Sequence, residues 1–150
     1  MQTFKDYVEN QDGWRVVNRG NGVPFFNETE VQGFFGLLLQ RSRFDVNREP
    51  NNGRGPVDFK ISMGAFDKAL IEFKLAKSSS LERNMERQVA VYEKANKTDQ
   101  SVFVVICYTK GDLLKTARVM KRLGLEDQDA EGVKKVVVID ATPKESASKV

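Results

Sequence analysis

Asp58, Glu72 and Lys74 are the side chains of this chain best spaced for chemistry. They stand in two short runs, Pro56-Val57-Asp58-Phe59-Lys60-Ile61-Ser62 and Leu70-Ile71-Glu72-Phe73-Lys74-Leu75-Ala76, separated by a glycine turn. Both runs alternate with period two, the mark of strands with one face buried and one face free. Val57, Phe59 and Ile61 fall on one side, as do Ile71, Phe73 and Leu75, while Asp58, Glu72 and Lys74 fall on the other. With a turn centred near Ala65, Asp58 and Glu72 are equidistant from the centre and face each other. Two like charges opposed in a ladder destabilise it, and a divalent cation between them reverses the sign. Both are hard oxygen ligands of the kind Mg²⁺ accepts, one or two at a time, with waters completing its shell. The backbone carbonyl of Phe73 can add a third ligand. Lys74 lies one pleat from Glu72, about 7 Å away, where an ammonium can orient or help deprotonate a water and meet a phosphate.

What the chain lacks narrows the chemistry further. It has no histidine, which excludes a histidine general base and every Ser-His or Cys-His relay. The single Cys107 excludes an internal disulfide and a multi-cysteine zinc site. Following the apolar run from Val102 to Ile106, it reads as a small core residue. A net charge of +3 permits binding to a polyanion without requiring it. The acidic, aromatic N-terminus does not resemble a signal peptide, and no apolar stretch approaches the roughly 20 residues that span a bilayer. A cytoplasmic setting without a membrane partner is expected, and 150 residues suit one domain.

The elements that must position these residues follow from periodicity and caps. Residues 1–26 form an N-terminal extension in which Trp14, Val16 and Val17 face Val23, Phe25 and Phe26 across a glycine-rich turn, as in a small hairpin. Asn27-Glu28-Thr29-Glu30 is a capping-box pattern that starts a helix with Val31, Phe34, Phe35, Leu38 and Leu39 inward. A strand over Phe44 to Glu49 precedes the hairpin. Ser79-Ser80-Leu81-Glu82 reads as a second capping box, opening a helix to about Ala95 with Leu81, Met85, Val89 and Tyr92 on its inner face. Ser101 to Tyr108 is continuously apolar, as in a strand covered on both faces. A third helix over Asp112 to Leu123, a strand over Lys135 to Asp140 and a polar, frayed tail over 141–150 complete the chain. The Lys115, Arg118, Lys121 and Arg122 cluster reads as solvated helix surface.

Pro-x-Asp, a gap of just over a dozen residues, then Glu-x-Lys on a second strand resembles the PD-(D/E)xK nuclease superfamily. Gln88-Val89-Ala90-Val91-Tyr92 is similar to the Q-x-x-x-Y motif of its RecB-like branch, which lies on the helix after the Glu-x-Lys strand. Helical spacing puts Gln88 and Tyr92 on one face, and on an inward stripe a glutamine is costly unless it has a role. One departure is that Val57 stands between Pro56 and the acid, so strand phase and not distance from Pro56 selects Asp58. The resemblance covers about Asn27 to Tyr108. It implies an α/β fold with a restriction endonuclease-like core, α-β-β-β-α-β around a mixed sheet, here within a domain over 27–140 that a further helix and strand extend.

The resemblance also implies a Mg²⁺- or Mn²⁺-dependent deoxyribonuclease, with endonuclease action favoured. Asp58, Glu72, the Phe73 carbonyl and a first-helix acid would hold the metal. Helical angle does not separate Glu28 from Glu30, but a capping box occupies Glu30 and leaves Glu28 freer. Lys74 and Gln88 complete the catalytic set, and Tyr92, Lys60, Arg54 and Lys77 are candidates for substrate contact. The expected partner is nucleic acid, DNA above all, with a homodimer or a larger protein carrying the domain as further possibilities. The alternative is a catalytically inactive nucleic-acid-binding domain of the same fold.

Overall fold

The computed structural model describes residues 1–19, 25–40, 42–48, 58–63, 67–94, 99–126 and 136–145, with the side chains at 63, 67–68, 88–94 and 99–100 outside that description. Three helices open the chain: α1 (Gln2–Asn10), α2 (Trp14–Val17) and α3 (Glu28–Leu39). There follow β1 (Asp45–Arg48), β2 (Phe59–Met63), β3 (Asp67–Leu75), α4 (Leu81–Lys94), β4 (Asp99–Cys107), α5 (Lys110–Arg122) and β5 (Val136–Asp140). The strands lie side by side in chain order. β1, β2 and β3 pair antiparallel, and β3, β4 and β5 pair parallel. The fold is α/β, a five-stranded mixed sheet with five helices among the described residues.

Alternation sorts the sheet's side chains into two cores. Phe59, Ile71, Phe73, Val104, Ile106, Val137 and Ile139 pack with Phe4, Val8, Val31 and Phe35 of α1 and α3. Phe103, Val105, Cys107 and Val136 pack with Leu81 and Met85 of α4 and Val119 of α5. β4 is therefore buried on both faces, as its unbroken apolar run predicts. Asn27 caps α3 with both bonds of the capping box, its side chain taking the Glu30 N–H and Glu30 taking the Asn27 N–H.

Several expectations are corrected. Residues 14–17 are helical, so there is no Trp14–Val17 strand for a hairpin. Trp14 and Val17 are buried while Val16 is exposed, the pattern of an i, i+3 pair on one helix face. In α1, Phe4 packs edge-on against Phe34, Phe35 and Phe73. Glu9 of α1 accepts the Asp140 N–H at 2.8 Å, tying that helix to β5. In α4, Asn84 N–H bonds the Ser80 carbonyl, and Glu82 pairs with Arg122 at 2.8 Å instead of reaching back to a Ser79 cap. α5 begins earlier than expected because Thr109 is its cap and Asp112 the third position of a capping box. Lys115 is not merely solvated: its ammonium donates to the carbonyls of Ala76 (2.8 Å) and Ser78 (2.7 Å), holding the turn after β3. The tail is docked at its start, where Ala141 and Thr142 are buried and Ala141 N–H bonds the Cys107 carbonyl.

Asn18 joins these parts. Its buried side-chain amide donates to the Tyr108 carbonyl at 3.1 Å and the Ala141 carbonyl at 2.9 Å. Asn18→Ala leaves both acceptors without that donor and is expected to cost about 2–3 kcal/mol in urea unfolding. A variant as stable as wild type contradicts this role.

Candidate active site

β2 and β3 are paired from Met63↔Asp67 to Phe59↔Ile71. β3 then runs on against β4 as far as Leu75↔Ile106. Beyond Ile71, β3 has a strand neighbour on one side only among the described residues. Continued one step beyond Phe59↔Ile71, the register would set Asp58 across from Glu72, but Asp58 stands just before β2 and not within it. Its side chain serves this edge: Asp58 Oδ2 accepts the Phe73 N–H at 2.5 Å. A strand residue's N–H and C=O point to the same side, so the Phe73 carbonyl is directed at the same edge.

α3 meets this edge with two residues one turn apart. Glu28 Oε1 accepts from the Lys74 ammonium at 2.6 Å, and Glu72 lies 3.9 Å from the same nitrogen. Gln32, only 7 % exposed, lies near enough to Asp58 to favour its charged form. Sequence reasoning missed Gln32. Its signal is the one that singles out Gln88, a glutamine on an otherwise apolar helix face. Glu72 and Lys74 are register partners of Phe103 and Val105, which face α4 and α5, whereas Val31 and Phe35 of α3 line the opposite core.

Burial pushes the Asp58 carboxyl above the usual carboxylate range, with the Glu28 charge adding to it, and the Phe73 N–H, Lys74 and Gln32 offset this only in part. Burial pulls Lys74 the other way, but the hydrogen bond and charge of Glu28, with Glu72 and Asp58, hold it above the ordinary lysine value. Lys74 is therefore a fixed ammonium near neutral pH, suited to orienting a water or an anion rather than to removing a proton. Glu30 takes no part in the site. Its carboxyl is held below the usual range first by the Asn27 N–H, and it pairs with Arg19 at 2.9 Å.

The remaining candidates are distributed around this centre. Lys60, paired with Leu70, lies two residues from Asp58 on the same strand phase. Lys77 is exposed at the end of β3 with its ammonium 4.6 Å above the Phe25 ring, which stacks on Tyr108 at 4.3 Å. Neither is brought onto the carboxylates. Arg54 lies outside the described residues, as do the side chains of Gln88 and Tyr92, whose backbones belong to α4. Cys107 is buried beside Thr116 with its thiol pushed up to about 11 by burial, consistent with a core residue.

Among the described residues no three His, Cys, Asp or Glu side chains are gathered as a ready-made metal cage. The donor chemistry nonetheless fits a hard divalent cation, because Asp58, Glu72 and the Phe73 carbonyl are all oxygen ligands and Mg²⁺ needs no third carboxylate. No described helix is long and apolar enough to cross a membrane.

One family model matches residues 1–110, well over half of the chain. The chain belongs to DUF8371, a domain family of unknown function. No curated protein and no solved structure matches it. The part matched to DUF8371 runs from α1 to the first residue of α5 and includes Glu28, Gln32, Asp58, Glu72 and Lys74.

A carboxyl whose pKa is raised on folding binds protons better in the folded chain. Its contribution to stability is then greatest at low pH and falls as pH rises from the ordinary aspartate value through the raised one. Asp58→Asn keeps an oxygen for the Phe73 N–H and removes the buried charge. In metal-free buffer near neutral pH it is expected to melt higher than wild type, with the gap closing as the pH is lowered towards about 4, near the ordinary aspartate pKa. A lower melting temperature at neutral pH contradicts the direction assigned to Asp58.

Proposed function

We propose that this domain is a metal-dependent nuclease that hydrolyses phosphodiester bonds in DNA, built on a restriction endonuclease-like core. The observation that carries the reading is the meeting of Asp58, Glu72 and Lys74 where β2 leaves β3, with Glu28 of α3 holding the Lys74 ammonium. The order α3-β1-β2-β3-α4-β4 and the mixed sheet support it, since they match the order in PD-(D/E)xK nucleases. Asp58, Glu72 and the Phe73 carbonyl would hold Mg²⁺ or Mn²⁺, with Glu28 assisting through a water. When bound, the cation supplies a more acidic water and neutralises charge on the phosphate.

The chain's own groups do the rest. Lys74, held charged, orients the nucleophile and meets the phosphate. Glu28 keeps that ammonium beside β3. Gln88 and Tyr92, on the helix that follows, are assigned to the substrate strand, and Lys60, Lys77 and Arg54 to backbone phosphates beyond it. Endonuclease action and a cytoplasmic setting belong to the same proposal.

Nicking of supercoiled plasmid in Mg²⁺ or Mn²⁺ tests it. Wild type is expected to nick only with metal, Asp58→Ala and Glu72→Ala to be inactive, and Lys74→Ala to lose about a hundredfold or more. Wild type no more active than Asp58→Ala on supercoiled, linear, branched and single-stranded DNA contradicts the enzyme. It would leave the catalytically inactive DNA-binding domain as the reading to pursue.

A further inference from the structure

Phe25 and Phe26 each carry a cation over the ring, and the two arrangements differ. The Arg19 guanidinium lies 4.6 Å from the Phe26 ring centre and is tied down by Glu30 at 2.9 Å. The Lys77 ammonium lies 4.6 Å from the Phe25 ring centre, and among the described residues no carboxylate pairs with it. Beneath Phe25 the support is firm. Its ring stacks on that of buried Tyr108 with centroids 4.3 Å apart and planes 21° from parallel. The Tyr108 hydroxyl donates to the Phe26 carbonyl at 2.9 Å, and the Phe26 N–H donates to the Val17 carbonyl at 2.8 Å. A ring stacked so closely fills one face of Phe25 and leaves the other to the ammonium. That second face of a half-buried ring is thus covered by one exposed lysine on a flexible stem.

The pair borders the site. Phe25 stands three residues before Glu28 and Lys77 three after Lys74, and Glu28 holds the Lys74 ammonium at 2.6 Å. Three residues of chain span at most about 11 Å. Lys115 fixes the turn that carries Lys77 by donating to the Ala76 and Ser78 carbonyls. A flat apolar face beside a cation matches a nucleotide, with the base on the ring and its phosphate on the ammonium. Base stacking on an aromatic ring is stronger than an exposed cation–π contact. A base therefore displaces the ammonium from the ring and frees it for the phosphate. Inside a duplex both faces of a base are covered by its neighbours, so only an unstacked base can take this place.

We propose that Phe25 and Lys77 seat an unpaired nucleotide beside the phosphate that is cut, so that the substrate is single-stranded DNA or the single-stranded part of a branched one. The inference rests on the nuclease reading above and adds to it the structure of the substrate. It also gives the segment before α3 a role of its own, since that segment brings the ring to the helix that holds Lys74.

The test uses the full chain and one oligodeoxynucleotide, presented as a single strand and as a duplex. Half-saturating substrate concentration and maximal rate are measured in Mn²⁺, and melting temperatures are compared. Phe25→Leu keeps apolar bulk without a ring, Phe25→Trp restores a ring face, and Lys77→Gln removes an exposed charge, so one folded variant remains in any case. Wild type is expected to cut the single strand at a half-saturating concentration about tenfold or more below that for the duplex. Phe25→Leu is expected to raise the single-strand value about tenfold and leave the duplex value in place, and Phe25→Trp to restore it. Lys77→Gln is expected to raise the single-strand value and lower its salt dependence by about one phosphate contact. A merely structural role would lower the melting temperature and affect both substrates alike. Wild type that cuts both forms equally well, or variants that keep its preference, overturns the seat and leaves the nuclease reading standing. Wild type that cuts neither form overturns that reading, and the seat with it.

Discussion

A carboxylate drawn half out of water beside a sheet has to be held by donors, and the β3 backbone beyond its last β2 pair has to be satisfied by acceptors. Asp58 and Phe73 answer both needs with one hydrogen bond. The rest of the site is arranged around that bond. Beyond the last β2–β3 pair, the Phe73 amide takes a side-chain oxygen of Asp58, and Glu28 in the first turn of α3 reaches Lys74. The Lys74 ammonium becomes the charge that Glu28, Glu72 and Asp58 share. Such a half-buried cluster is not a plain source of stability, because desolvation opposes the attraction between its members. The raised Asp58 carboxyl is the visible sign of that opposition. Groups perturbed in this way are common at functional sites.

The aromatic packing shows how firmly the neighbourhood is set. Phe35 of α3 contacts both Phe59 and Phe73 with ring centroids 5.2 Å apart, so the helix is seated on the two strands that frame the gap. Phe4 of α1 adds a further edge contact to Phe73. The residue whose amide holds Asp58 therefore has its side chain locked in the core, while its backbone faces the site. The N-terminal helices serve the site through this packing, and the family match extends over them as well as over the strands.

The legible parts of the fold are those in which one short-range rule decides the outcome. Alternation around a single turn gives the Phe59↔Ile71 register that brings Asp58 beside β3, and an unbroken apolar run places β4 between two layers. The capping box at Asn27 assigns Glu30 to a backbone amide and leaves Glu28 for Lys74. Where two rules compete, sequence reasoning fails. Trp14-Arg15-Val16-Val17 is too short for its period to separate strand from helix, and only the exposure of Val16 decides it. Ser79 and Ser80 are both plausible caps, and the partner that draws Glu82 away is Arg122, on another helix. Lys115 looks like ordinary solvated charge because the carbonyls it holds belong to a distant turn. Gln32 carries a local signal, a glutamine on an apolar helix face, but the carboxylate it lies near belongs to another part of the chain.

The central claim is that the carboxylates at this gap hold a divalent cation. Anomalous diffraction from crystals grown with Mn²⁺ tests it most directly. The account predicts a single strong peak at about 2 Å from oxygens of Asp58 and Glu72, with the Phe73 carbonyl in its coordination shell, and no such peak in Asp58→Ala crystals. A map with no peak at the parting of β2 and β3, or with Mn²⁺ bound only elsewhere on the protein, would contradict it.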